Sequence, residues 1–221
     1  MNPRPSLAVL DLAARDDLGL APHYLTLWSA VVGLEATRTF EFGAGGSTAV
    51  ILDALRHTPG PAVHRSVSTE SADGIARRFE IAAGVPWGHR HGRSAELYWE
   101  RPPEEPFDFV LHDGSHAADT VEADLRWALP HLRRWGLCFV HDSQHSYVGA
   151  EVRRALGNIL RDPPHDLIGG GVLTLSHTTL TYGFGLTVIR RESLWPGVDP
   201  VAPKRVKVGS LHKTAPCPVE V

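Results

Sequence analysis

Histidines and carboxylates follow two apolar runs of this 221-residue sequence at short spacing. Residues 107–111 and 137–140 are almost uninterrupted apolar stretches, typical of strands that are buried on both faces. Ligands of α/β folds bind where such strands end, at their carboxyl edge. The side chains that follow the two runs therefore mark a candidate site. They are Asp113, His116, His141, Asp142 and His145.

Three of these side chains have the chemistry of a metal site. Two carboxylates and one imidazole, from Asp113, Asp142 and His141, make a candidate octahedral site for Mg²⁺ or Mn²⁺ once water and substrate oxygens complete it. The imidazole also suits Fe²⁺ or Zn²⁺. A structural interpretation stays open, in which Asp113 caps the following helix and His141 is hydrogen bonded within the sheet. His116 and His145 are candidate general bases, because histidine titrates near neutral pH.

A glycine turn follows the first predicted strand, in the stretch FEFGAGGSTA. Its glycines let the backbone turn sharply and approach a ligand, while Ser47, Thr48 and the first amides of the next helix can hold an anionic group. A dinucleotide fingerprint would need a glycine in place of Thr48. A hydrolase elbow would need a glycine in place of Ala49.

The order of elements predicts the fold class. Helical periodicity covers residues 6–36, and strands then alternate with helices as far as residue 160. Such alternation predicts an α/β, Rossmann-like, mostly parallel seven-stranded sheet with helices on both faces. The β-branched and glycine-rich stretch near the C-terminus predicts a closing antiparallel hairpin. The second helix of the alternation is expected to close at Gly84, and the fifth strand to span residues 136–142.

This pattern divides the chain into three parts. Residues 1–37 are N-terminal helices that cap the substrate side or form a homodimer contact. Residues 38–191 form the main domain, and residues 192–221 form a proline-rich basic tail.

Composition argues against several classes of partner. The net charge of −3 and the pI near 6.5 give no general attraction to nucleic acid. The apolar runs are far shorter than the roughly 20 residues needed to cross a bilayer, and the N-terminus does not read as a signal peptide. The two cysteines, Cys138 and Cys217, imply no disulfide framework. A cytoplasmic protein with no membrane partner is expected.

Two stretches resemble a known family. The segment FEFGAGGST resembles motif I of class I S-adenosylmethionine-dependent methyltransferases. The segment from Phe107 to Asp142 is similar to a subgroup containing the sugar O-methyltransferases of antibiotic biosynthesis and cephalosporin-hydroxylase-like proteins. The resemblance covers about residues 38–160. It departs from the family at Trp135, where relatives usually carry a second glycine, and at His141, where many carry an acid.

The resemblance implies S-adenosylmethionine as cofactor and a small-molecule hydroxyl as methyl acceptor. It implies that Glu70, with Ser71, takes the ribose hydroxyls, that Ser94 borders the adenine, and that Asp113 lies beside the sulfonium. In similar enzymes the strand-end acids hold a divalent metal that binds substrate hydroxyls. The turn residues implied to line the methionine and ribose are Glu41, Gly43, Ala44, Gly45, Ser47 and Thr48.

Two alternatives remain at this point. A nicotinamide-dependent oxidoreductase is disfavoured by Thr48 and by the absence of a Tyr-x-x-x-Lys pair. A non-catalytic protein that binds S-adenosylmethionine would keep the same cofactor residues.

Overall fold

A seven-stranded sheet organises the structure, a computed structural model. The residues that it describes are 3–15, 17–81, 84–99, 105–164, 171–178 and 185–193. The strands are β1 Arg38–Phe42, β2 Val63–Ser68, β3 Trp87–His91, β4 Phe107–His112, β5 Leu132–His141, β6 Gly171–Thr178 and β7 Leu186–Ser193. The helices of the described residues are α1 Leu7–Ala13, α2 Tyr24–Gly33, α3 Gly46–Leu55, α4 Ala72–Arg78, α5 Ala118–Ala128 and α6 Gly149–Arg161. Short 3₁₀ turns occupy Ala21–His23, Ser94–Trp99 and Leu129–His131.

The strand order is β3-β2-β1-β4-β5-β7-β6. Strands β1 to β5 are parallel, whereas β7 runs antiparallel to both β5 and β6. This confirms the predicted fold class. The chain order reverses between β1 and β4, and the carboxyl ends of these two neighbours are where an α/β sheet opens a crevice for a ligand.

Two hydrophobic cores lie against the sheet. One joins α1 and α2 to α3 through side chains such as Leu27, Trp28 and Ile51. The other packs α5 and α6 on the strands through side chains such as Leu125 and Leu156. Because the N-terminal helices share their core with α3, they sit directly behind the glycine turn that opens that helix.

Two element boundaries differ from the sequence-based expectation. Helix α4 ends at Arg78 rather than near Gly84, because Glu80 adopts a left-handed backbone with φ of 49°. Strand β5 begins at Leu132 rather than at residue 136. It accommodates Trp135 at φ of 69°, and the ring of that residue packs against the Arg190 guanidinium at 4.8 Å.

Some predictions lie outside the described residues. They include the tail from residue 194 onward and Cys217. Among the described residues, no helix combines the length and the apolar character needed to cross a membrane.

Candidate active site

The glycine turn after β1 ties three strand ends together. The Gly43 amide donates to the Val67 carbonyl at 2.9 Å, and the Asp113 amide donates to the Phe42 carbonyl at 2.8 Å. Gly43 has φ of 86°, and a Cβ there would lie 2.1 Å from the Asp113 carbonyl oxygen. Only glycine fits this position, because the left-handed backbone and the close contact with β4 both exclude a side chain.

The buried side chain of Glu41 fixes the turn through hydrogen bonds. Its side chain is fully buried, and its carboxylate accepts hydrogen bonds from the hydroxyls of Ser47 and Thr48, the latter at 2.6 Å. His64 Nε2 lies 3.2 Å from the same carboxylate, and the Gly45 amide donates to Thr48 Oγ1 at 3.0 Å. Every one of these groups therefore has a partner within the protein, and the network fixes the turn.

A cavity of about 600 Å³ opens above the turn. Of the residues implied for the cofactor, Gly43, Ala44, Glu70, Ser94 and Asp113 lie on its wall. A volume of this size suits a nucleotide-containing cofactor. The Glu70 carboxylate lies 2.7 Å from the Arg78 guanidinium, which holds it at the cavity edge.

The other implied residues lie away from the cavity wall that these residues form. Glu41, Ser47 and Thr48 belong to the network under the turn, and Gly45 is the N-cap residue of α3. Ser71 caps α4 by accepting a hydrogen bond from the Gly74 amide at 3.2 Å. Gly92 and Arg93, neighbours of Ser94, also lie on the wall. Sequence reasoning did not single out Thr69, which follows β2, or Thr120 and Asp124, because α5 reaches the wall only through tertiary packing.

The strand-end cluster forms as the sequence predicts. One candidate ligand atom from each of Asp113, His141 and Asp142 lies within 4.8 Å of the others. His141 Nδ1 is 2.9 Å from Asp113 Oδ1 and 3.3 Å from Asp142 Oδ2. Asp142 directly follows β5 and has a left-handed backbone with φ of 58°, a strained conformation for a non-glycine residue. Such strain is concentrated at functional sites.

The protonation of His141 and Asp142 is controlled by their mutual contacts. Burial lowers the pKa of His141, but the hydrogen bonds to Asp113 and Asp142 outweigh it and raise the pKa to about 9. Burial acts to raise the pKa of Asp142, yet the contacts with His116 and His141 hold it far below its usual range. Without a cation, an imidazolium therefore stands between two carboxylates.

The same residues fit a divalent cation. Two carboxylates and an imidazole are a suitable donor set, and a cation can take the place of the proton on His141. The Oδ1 atom of Asp142 is buried and has no hydrogen-bond partner among the described residues. The neighbouring Ser143 hydroxyl, also buried, has none in that part of the chain either. Buried polar atoms without partners indicate a ligand, an ion or an ordered water.

The two candidate bases differ in their surroundings. His116 Nε2 lies 2.6 Å from Asp142 Oδ2, and this contact raises the pKa of His116. His145 instead accepts hydrogen bonds at Nδ1 from the Tyr147 and Val148 amides, at 3.1 and 3.3 Å, ahead of α6. The geometry favours His116 as a proton acceptor and gives His145 a capping role.

The N-terminal segment also reaches the site, through His23 and Tyr24, two residues that the sequence did not single out. His23 is 1% exposed, and its ring lies 5.5 Å from the His141 ring at 73°. The Tyr24 hydroxyl faces Gly46 at the start of α3, 2.3 Å from where a Cβ on that glycine would lie. The stretch APHY carries no motif, because its place at the site depends on how α2 packs on the sheet.

Comparisons with known proteins agree with this arrangement. Residues 40–143 match the family model described as a methyltransferase domain. No curated protein matches the sequence. The O-methyltransferase TomG of Streptomyces achromogenes, solved with S-adenosylmethionine, is 23% identical with a TM-score of 0.58, over 86% of this chain and 92% of TomG.

Two further structures share the fold. The O-methyltransferase of Bacillus cereus, bound to S-adenosylhomocysteine, is 20% identical with a TM-score of 0.58, over 86% of this chain and 92% of the other. MycE of the mycinamycin pathway, solved with Mg, S-adenosylhomocysteine and mycinamycin VI, is 14% identical with a TM-score of 0.56. That match covers 90% of this chain and 58% of MycE. Together with the family match, the fold confirms the resemblance to class I S-adenosylmethionine-dependent methyltransferases.

Proposed function

We propose that this protein transfers a methyl group from S-adenosylmethionine to a hydroxyl of a small molecule, positioned by a divalent cation at Asp113, His141 and Asp142. One observation carries the proposal: Asp113 both lines the cofactor-sized cavity and belongs to the cluster. A cofactor in the cavity and an acceptor at the cluster would therefore meet at one side chain. Methyl transfer depends mainly on such alignment.

On the cofactor side, S-adenosylmethionine, when bound, supplies a methyl group on a sulfonium sulfur that leaves as a neutral thioether. Glu70, on the cavity wall, would accept hydrogen bonds from the two ribose hydroxyls. The backbone of Gly43 and Ala44 would allow close approach of the cofactor, and Ser94, also on the cavity wall, would border the adenine. Glu41 acts indirectly, by holding the turn in shape.

On the acceptor side, Asp113, His141 and Asp142 would hold the cation. A bound divalent cation lowers the pKa of a hydroxyl and fixes its oxygen. His116 is the base in this proposal. Its Nε2–H faces Asp142, which leaves Nδ1 to take the hydroxyl proton as the oxygen–methyl bond forms and the methyl–sulfur bond breaks.

The structural neighbours support an oxygen acceptor and a magnesium ion. TomG is an O-methyltransferase, and the MycE complex contains Mg. A nucleic acid substrate stays disfavoured by the net charge of −3. The division into N-terminal helices, main domain and tail, a homodimer through the N-terminal helices, and a cytoplasmic location remain predictions. Leu7, Leu10 and Leu25 are exposed on those helices, in favour of the homodimer.

The test is a turnover assay with a panel of small vicinal diols, sugars and phenols, in which released S-adenosylhomocysteine is quantified with Mg²⁺ or with EDTA. We expect turnover with at least one hydroxyl compound and its loss in EDTA. His116→Gln should lower kcat by about 10²–10⁴, whereas His145→Gln should lower it much less. Cofactor binding without turnover on any compound would favour the non-catalytic reading, and binding of NADH in place of S-adenosylmethionine would favour the oxidoreductase.

A further inference from the structure

His23 is a buried polar residue that the proposed chemistry leaves unused. The 3₁₀ turn Ala21–His23 directs it inward, and its backbone amide donates to the Leu20 carbonyl at 2.9 Å. Only 1% of the residue is exposed, and its ring stands edge-on to His141. The backbone amide of His23 thus has a hydrogen-bond partner, and its imidazole ring remains to be explained.

The Nε2 atom of His23 is buried and has no hydrogen-bond partner among the described residues. Leaving such an atom unpaired costs about 1–3 kcal/mol. A phenylalanine or leucine would fill the same space without that cost, so packing alone does not account for a histidine here. An imidazole ring nitrogen can donate or accept a hydrogen bond, so a buried Nε2 without a protein partner is available to a bound oxygen.

The environment of His23 is the strand-end cluster. Its ring lies against the His141 ring, with 5.5 Å between the two centroids. Asp142 Oδ1 and Ser143 Oγ are also buried without partners in the described part of the chain. Buried polar atoms without partners thus occur on His23, which packs against His141, and on Asp142 and Ser143, which directly follow His141 in the chain.

We propose that His23 is a positioning residue of this site, whose Nε2 hydrogen-bonds an oxygen ligand of the cation held by Asp113, His141 and Asp142. The oxygen is water in the absence of substrate and the acceptor hydroxyl in its presence. His23 lies outside the set of ligand atoms within 4.8 Å of one another, so it acts on the cation through that oxygen. The inference rests on the metal part of the proposed function.

The inference gives the N-terminal helices a role in the site. Tyr24, the next residue, meets the glycine turn at Gly46 while His23 meets the cluster. The start of α2 therefore contacts both halves of the site.

The test is calorimetric titration of Mn²⁺ into the EDTA-treated full-length protein, with folding checked by circular dichroism. His23→Phe keeps the ring volume and removes both nitrogens, and we expect it to weaken Mn²⁺ binding by about tenfold or more, as outer-shell partners do. His23→Gln keeps a polar atom near the Nε2 position and should recover most of the affinity. His57→Phe is the control. The His57 ring packs edge-on to the Trp28 ring, with 5.5 Å between the two centroids, and His57 is not among the residues of the cluster.

Each outcome bears on one claim. Equal Mn²⁺ affinity in the wild type and His23→Phe would overturn the role of His23 alone, and would leave an ordered water as the partner of its Nε2. Absence of Mn²⁺ binding by the wild type would overturn the metal part of the proposed function and this inference with it. Should His23→Phe fail to fold, His23→Asn, whose polar atoms lie near the Nδ1 position, takes its place. Affinity as high as that of His23→Gln would then contradict the inference.

Discussion

The carboxyl ends of β1 and β5 hold similar buried polar residues, but the two groups differ in whether their hydrogen bonds are satisfied within the protein. Below the glycine turn after β1, the Glu41 carboxylate is matched by Ser47, Thr48 and His64. At the end of β5, polar atoms of Asp142 and Ser143 are buried without partners among the described residues. The hydrogen bonds of the first region are complete within the protein, whereas in our proposal a bound cation and its oxygen ligands complete those of the second. Burial of a carboxylate alone therefore does not indicate a binding site. A buried carboxylate indicates one when some of its oxygen atoms lack hydrogen-bond partners within the protein.

The largest effect should come from breaking the complete network. Glu41→Ala removes the acceptor of two hydroxyls and the partner of His64, all inside the protein, and should lower the free energy of unfolding by about 3–5 kcal/mol. Asp142→Asn at the incomplete end keeps the size of the side chain and leaves Asp113 as a partner of His141, so it should cost less than Glu41→Ala in cation-free protein. Urea unfolding of both variants in EDTA measures the difference. A larger loss in Asp142→Asn than in Glu41→Ala would reverse the assignment of the two regions.

Two glycines of the turn should respond differently to substitution by alanine. Gly43→Ala places a Cβ against the Asp113 carbonyl in a left-handed backbone and should cost about 3 kcal/mol. Gly45→Ala is the control, because Gly45 has an extended φ of −176° and its Cβ would meet only a Phe79 ring carbon at 3.9 Å. Thermal unfolding of the pair should show a marked drop in Tm for Gly43→Ala alone. Equal Tm values would mean that the turn is looser than described.

A smaller effect should appear with pH at the incomplete end. His141 titrates near 6.5 in the unfolded chain and at about 9 in the folded protein, so its stabilising contribution is present below pH 6.5 and is lost as pH rises through about 9. In EDTA, the free energy of unfolding should fall on the order of 2 kcal/mol over that range. His116 shifts in the same direction, and His23 titrates near 4, below the window.

His141→Gln isolates this effect. The variant should show a flatter profile between pH 6.5 and 9, because the proton held between Asp113 and Asp142 is gone. A profile as steep as that of the wild type would place the titration on another group.

Much of this arrangement is predictable from sequence. The apolar runs and the glycine turn predict the sheet, and neighbouring strand ends predict that Asp113 meets His141 and Asp142. The inward position of Glu41 depends on the pairing of β1 with β2, which brings His64 beside it, and a single strand does not reveal that register.

His23 shows where sequence reasoning ends. Its distance from the cluster is set by the packing of α2 on the sheet, through side chains such as Leu27 and Trp28 that could serve any helix. The spacing of residues in the sequence does not reveal such a long-range contact. In the folded protein, the buried Nε2 atom without a partner draws attention to it.

The most direct test of the central claim is to titrate Mn²⁺ into the EDTA-treated protein at pH 7 in two buffers of different ionisation enthalpy. The titratable groups that face His141 are Asp113, Asp142, His116 and His23. If the cation replaces the proton on His141, binding should occur at one site, release close to one proton per ion, and disappear in Asp142→Asn. Binding without proton release, or binding that Asp142→Asn leaves unchanged, would contradict the account.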